Sequence, residues 1–188
     1  ALIQETTVFR QYGPLSGSTF RLSYEFAPPG GDAFLSRQTI DLDARKYWRI
    51  RENGLLALRG RGFKSWGDFP DFTFFGGNSD MRGYDYLEFL GHKAFFGNAE
   101  LRFPVIEAMA TPIGILGGVR GAFFFNFGMA GFEGQPLTPW SSEPGIFRGV
   151  ESISFNQELQ DYQEVFTEPT LVEGFRLVNA RASYGLSL

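Results

Sequence analysis

The chain has 188 residues, no cysteine, a single histidine (His92) and a formal net charge of −4. Its length suits one domain with a core of its own, and the lack of thiols excludes a disulfide framework, a Cys-ligated zinc site and an iron–sulfur cluster. The acidic balance excludes the basic footprint of a nucleic-acid binder, while 22 Phe and 24 Gly make a ring-rich composition that the fold must explain.

The start, ALIQETTVFRQYG, has neither a basic nor an apolar leader region, which fits a processed chain or a piece of a larger one. A first strand is expected over Ile3–Gln11. In Ser18–Pro28, Phe20, Leu22, Tyr24 and Phe26 alternate with Thr19, Arg21, Ser23 and Glu25, the period of a strand with one apolar and one polar face. In Gln38–Arg51, Ile40, Leu42, Ala44, Trp48 and Ile50 alternate with Thr39, Asp41, Asp43, Arg45, Tyr47 and Arg49, and Lys46 is the single charge on the apolar side. Glu52, Asn53 and Gly54 supply a hairpin turn into Leu55–Lys64, where Arg59 and Arg61 share a face.

Residues 66–92 then form a long connection. Beyond it Asn98, Glu100 and Arg102 oppose Ala99, Leu101, Phe103 and Val105, and Pro104 is expected to end the regular stretch. The apolar run Ala108–Gly118 is broken by Thr111 and Pro112 and is too short for a membrane helix of about 18 residues. Between Leu116 and Gly128, Val119, Gly121, Phe123, Phe125 and Phe127 alternate with Arg120, Ala122, Phe124 and Asn126. A second long connection spans residues 131–169, with a weak helical period at Gln157–Val165. From Phe175 onward Val178, Ala180, Ala182, Tyr184, Leu186 and Leu188 oppose Asn179, Arg181 and Ser183.

This is an all-β chain of at least six antiparallel strands, and alternation alone does not decide which face looks inward. A soluble barrel buries the apolar face; a membrane barrel turns it to lipid. The polar face carries Asp41, Asp43, Arg45, Arg59, Arg61, Glu100, Arg102, Arg120 and Arg181, with little Lys. Arg suits confined pairing with carboxylates better than free solvation, and Tyr24, Trp48, Trp66 and Tyr184 suit an interfacial girdle. Both features favour a transmembrane barrel, in which short turns at one end and long loops at the other are the rule.

Three motifs in order, GGNSDMRGY at Gly76–Tyr84, NAELRFP at Asn98–Pro104 and AFFFNFG at Ala122–Gly128, resemble the outer-membrane assembly-factor superfamily. These are surface-antigen barrels that include the BAM-complex insertase and the two-partner-secretion transporters. The resemblance covers about Gln4–Leu188. It implies part of a 16-stranded transmembrane β-barrel, roughly its eighth to fourteenth strands. Residues 1–188 would be a single barrel domain or a fragment of one, with a long loop folded back into the lumen. It implies further that Arg82, Gly83 and Tyr84 form the tip of that loop, and that Glu100 and Asn126 on the wall anchor it. Members of that superfamily commonly carry Asp where Asn126 stands, so Arg82 would face one carboxylate and one neutral acceptor. Asp41 and Asp43 could then contribute to neutralising Arg82.

Each of these residues also has a plainer reading. Asp41 and Asp43 lie two apart on one strand face, which suits charge balance of Arg45, Arg59 and Arg61 better than acid–base catalysis. Glu100, Arg102 and Arg120 can be steps of a lumenal charge ladder, and His92, beside Lys93, reads as solvated. No catalytic constellation, P-loop or nucleophile elbow is present, and neither a metal nor a cofactor is expected. By resemblance, the function is non-enzymatic insertion of barrel proteins into, or passage of polypeptide across, a bacterial or organellar outer membrane. The partners would be lipid, client polypeptides and accessory periplasmic or lipoprotein subunits, and no nucleic acid. The alternatives are a barrel that anchors, or serves as exit pore for, another domain of the same polypeptide, and a soluble ligand-binding β-barrel.

Overall fold

The computed structural model describes residues 1–10, 13–29, 36–50, 53–112, 114–147, 150–156, 161–166 and 168–188. All regular elements among them are strands. The chain divides into two compact units, Ala1–Leu137 with Asn179–Leu188, and Thr138–Val178.

The first unit begins with two short strands, β1 (Leu2–Glu5) and β2 (Val8–Arg10), where one continuous strand was expected. Long strands follow: β3 (Gly13–Ala27), β4 (Arg37–Ile50) and β5 (Gly54–Gly67). After the small pair β6 (Thr73–Phe75) and β7 (Phe89–Gly91) come β8 (Lys93–Thr111) and β9 (Gly114–Gly131). The second unit contributes β10 (Trp140–Ser141), β11 (Gly145–Phe147), β12 (Val150–Asn156), β13 (Asp161–Phe166), β14 (Thr170–Val172) and β15 (Arg176–Leu177). The chain returns to the first sheet as β16 (Ala180–Ser187).

The main sheet runs β1-β3-β4-β5-β8-β9-β16, with β2 also paired to β3, and every neighbouring pair is antiparallel. The tight connections join β4 to β5, where Ile50 pairs with Gly54, and β8 to β9, where Thr111 pairs with Gly114. Of the expected turn, Glu52 lies outside the described residues, as does Gln11 of the expected first strand. Pro104 does not end its strand. β8 continues seven residues past it, and a register shift between Pro104 and Ile106 absorbs the missing N–H as a bulge.

Registration aligns side chains in rows across the sheet. One row reads Thr19, Arg45, Arg59, Asn98, Asn126, Ser183; the next toward the short-turn end reads Gly17, Tyr47, Ala57, Glu100, Phe124, Gly185. The opposite face exposes Tyr24, Ile40, Leu58, Leu101, Phe123, Phe125, Tyr184 and Leu186. Among the described residues no apolar core underlies these side chains, the reverse of a soluble barrel. From the row of Phe26, Gln38 and Trp66 to that of Trp48, Leu56 and Leu101, β4 advances ten residues. That is about 33 Å of strand, or ~25 Å of bilayer depth at a tilt of about 40°, the height of an outer-membrane apolar band. Lys46, the one charge that β4 puts on that face, lays its ammonium 5.7 Å from the Trp48 ring, and Lys64 of β5 does the same with Trp66 at 5.3 Å. Both cations are thus held by aromatic faces near the ends of the band.

The second unit is a set of nested antiparallel ladders: β10 on β15, β11 on β14 and β12 on β13. The helical period expected at Gln157–Val165 is not borne out over its described part, since Asp161–Phe166 is β13, paired with Val150–Asn156. Residues 157–160 lie outside the described residues.

Candidate functional site: a loop seated on the polar wall

The connection between β5 and β8 turns back over the polar face of the sheet. Its tip is a tight turn in which the Met81 N–H donates to the Gly77 carbonyl (2.9 Å) and the Tyr84 N–H to the Met81 carbonyl (3.4 Å). Gly83 sits at φ 90°, with space for a Cβ only up to Ser183 of β16 at 3.6 Å. A side chain there would be strained in its backbone, while its Cβ would meet Ser183 at an ordinary contact distance.

The tip is held first by a small dry contact. Phe75 and Met81 from the loop and Phe96 from β8 are almost completely buried, with Phe63, Tyr84, Phe89 and Ala130 packed around them. The Phe75 ring stacks on Phe89 (4.7 Å between centroids) and on Phe96 (5.0 Å). Gly128 of β9 forms the floor. A Cβ there would stand 2.9 Å from Met81 Sδ, 2.9 Å from the Phe75 ring and 3.1 Å from Phe96 Cβ, so only glycine lets the loop come down to the wall.

Polar contacts then fix the tip strand by strand. On β5, Arg59 donates through Nη1 to Asp80 Oδ1 (2.9 Å) and through Nη2 to Asp43 Oδ2 of β4 (3.1 Å), and its guanidinium lies 5.0 Å from the Phe96 ring. On β8, Asn98 Nδ2 donates to the Asp80 carbonyl and Arg82 Nη2 meets Glu100 Oε1 at 2.5 Å. On β9, Phe124 presents its ring to the Arg82 guanidinium at 4.8 Å. On β16, the Ala182 carbonyl accepts from the Tyr84 hydroxyl at 3.0 Å. Four adjacent strands therefore grip the loop tip through Asp80, Arg82 and Tyr84.

Asn126 takes a different part from the direct acceptor for Arg82 that the resemblance implied. Its Oδ1 accepts from Asn98 Nδ2 (2.8 Å) and its Nδ2 donates to Ser183 Oγ (3.0 Å). It is buried, and it reaches the loop through Asn98. The reason is register: Asn126 lies in the row of Asn98, whereas Arg82 descends to the row of Glu100 and Phe124. Asp41 and Asp43 do not neutralise Arg82 either. Asp41 takes a two-point contact from Arg61 (3.2 and 2.9 Å), and Asp43 one from Arg45 (3.0 and 2.9 Å). Arg102 donates through Nε to Glu100 Oε2 at 2.8 Å, so Glu100 serves two guanidiniums. Arg120 is exposed, opposite Pro104. His92 is packed rather than solvated: its ring contacts those of Phe72 and Phe132, and Nδ1 accepts the Glu133 N–H.

With that geometry in view, comparison with known families matches residues 7–188 to the Omp85 superfamily domain. The chain belongs to the Omp85 superfamily. Its members are transmembrane β-barrels of the outer-membrane assembly and translocation class, which agrees with the all-β sheet and its exposed apolar face. No curated protein and no solved structure matches.

Phe75, Asp80, Met81, Phe96, Phe124 and Gly128 complete the loop seat beyond the residues that the resemblance implied. A signal existed for some of them. Phe63, Phe96, Phe124 and Gly128 fall on the polar phase of their strands, and rings on a wet face call for something to cover them.

Proposed function

We propose that this Omp85 chain acts in the outer membrane of a bacterium or organelle, as part of a barrel domain that inserts other β-barrels or passes polypeptide across the bilayer. In this reading Arg82, Gly83 and Tyr84 are the working tip of a lumenal loop. Glu100 anchors it directly, Asn126 does so through Asn98, and Asp41, Asp43, Arg45, Arg59, Arg61, Arg102 and Arg120 line the wet interior. The observation that carries it is the grip of four strands on residues 80–84, which holds a long connection against the polar face. A pinned loop leaves the wall rigid while a client strand pairs elsewhere on the barrel by β-augmentation. Such pairing satisfies backbone groups that are costly to carry bare into hydrocarbon, and local bilayer thinning lowers the remaining barrier. The partners are outer-membrane lipid, the client polypeptide and accessory periplasmic or lipoprotein subunits.

The test is reconstitution of the full protein into liposomes, with folding of a urea-denatured client barrel followed by its heat-modifiable gel shift and passage of polypeptide by protease protection. The wild type should accelerate one of the two. Arg82→Ala should lower that rate while its own barrel band persists. No acceleration of either by the wild type, or full activity in Arg82→Ala, would refute the assignment.

A further inference from the structure

We infer that the cleft beneath the loop tip is a binding site for a small tetrahedral oxyanion of the phosphate class, as the free ion or as a phosphate headgroup. This goes beyond the assembly and translocation reading and does not depend on it.

Between the loop and the walls of β4, β5 and β8 lies a cavity of about 210 Å³, lined by Arg45, Arg59, Arg82 and Arg102 together with Asn98 and Glu100. Its charge is unbalanced. The carboxylates that touch these four guanidiniums are Asp43, Asp80 and Glu100, so four positive charges meet three negative ones. The carboxylate oxygens that face the cleft are engaged as well: Glu100 Oε1 is taken by Arg82 and Oε2 by Arg102, while Asp43 Oδ2 is shared by Arg45 and Arg59.

The donors are not exhausted. Arg82 Nη1 and Arg59 Nε are both shut from solvent with no acceptor. A buried guanidinium N–H without a partner costs free energy, which an acceptor recovers where the side chain turns that N–H into the cleft. Arginine forks match the edges of a phosphate or sulfate, and several of them converging on one space favour a multiply charged oxyanion over a halide. Asn98 Oδ1 is also buried and unpartnered. The volume takes one such ion with a little water.

Arg45 makes the test clean, because its contacts run to Asp43 and not to the loop. The experiment is calorimetric titration of the purified protein, in maltoside micelles at fixed ionic strength, with inorganic phosphate and with sodium chloride as the reference. Saturable heat should appear with phosphate and not with chloride. Arg45→Gln and Arg102→Gln should each weaken the affinity at least tenfold, whereas Lys64→Gln on the lipid-facing side should leave it unchanged; heat-modifiable gel migration certifies each barrel. Repeating the titration in micelles containing phosphatidic acid identifies the source: a tenfold or greater loss of apparent affinity marks competition by the headgroup, and unchanged affinity marks a soluble ion. Absence of saturable heat in the wild type, or equal affinity in all three variants, overturns the site.

Discussion

Removing the Arg82 side chain should loosen the loop without unfolding the sheet. Arg82→Ala deletes the pair with Glu100, whose partners are 24% and 12% exposed, and the contact with the Phe124 ring. A hydrogen bond between charged groups contributes about 1.5–3 kcal/mol net, and a partly desolvated cation–π contact about 1 kcal/mol. Glu100 keeps Arg102, so no bare carboxylate is left behind and the sum is about 2.5–4 kcal/mol. At 1.4 kcal/mol per tenfold, the unseated loop should become roughly 60- to 700-fold more populated. The loop still retains Met81 and Phe75 in their pocket and Asp80 on Arg59, so it opens more often rather than staying open. Native-state hydrogen exchange reads this directly: the amides of Met81 and Tyr84 should lose protection by that factor while those of β4 and β5 keep theirs. Glu100→Ala should cost more than Arg82→Ala, because it strands two guanidiniums in place of none. Equal protection in wild type and Arg82→Ala, or a milder effect for Glu100→Ala, would refute the assignment of the tip's stability to this pair.

Gly128→Val should push Met81 and Phe75 off the wall and destabilise the seated loop by about 1–3 kcal/mol, seen as faster limited proteolysis within residues 76–90 with the barrel band intact. Tyr84→Phe removes one hydrogen bond, to the Ala182 carbonyl, and should raise exchange at the Tyr84 amide about fivefold, equivalent to ~1 kcal/mol. Beyond the end of β5, Asp68 accepts the Ser36 hydroxyl (2.7 Å) and N–H (3.1 Å), and these bonds hold its carboxyl below the ordinary aspartate value. A lowered folded value means the clasp contributes fully above the unfolded aspartate pKa and is lost as pH falls through the lower folded one. Protease sensitivity at residues 66–70 should therefore rise only below the ordinary carboxylate range, and Asp68→Asn should abolish that dependence.

The strands and their faces were legible because a two-residue period is local: Ile40 to Ile50 against Thr39 to Arg49 needs no partner to be read. The wall charges were legible for the same reason, and Asp41 and Asp43 do balance Arg61, Arg45 and Arg59. What could not be read was pairing between distant segments. Trp140 and Leu177 form a two-residue ladder across 37 positions, which carries no periodic trace, so residues 131–169 looked like a bare loop. Asp161–Phe166 has polar residues spaced as in a helix, and its strand state comes from β12 beside it. The place of Asn126 was misjudged for want of register: its motif neighbours pointed to Arg82, but the depth to which the loop descends sets which row the guanidinium meets.

Spin labels on single cysteines test the orientation of the sheet most directly, since the chain has no native thiol. Labels at Phe123, Phe125 and Leu186 in bilayers should collide with oxygen far more than with a water-soluble nickel chelate. Labels at Arg102 and Ser183, on the opposite face, should show the reverse preference. Nickel-accessible labels at the three apolar sites, or oxygen-dominated ones at Arg102 and Ser183, would contradict a sheet that turns its rings to lipid and its charges to a wet interior.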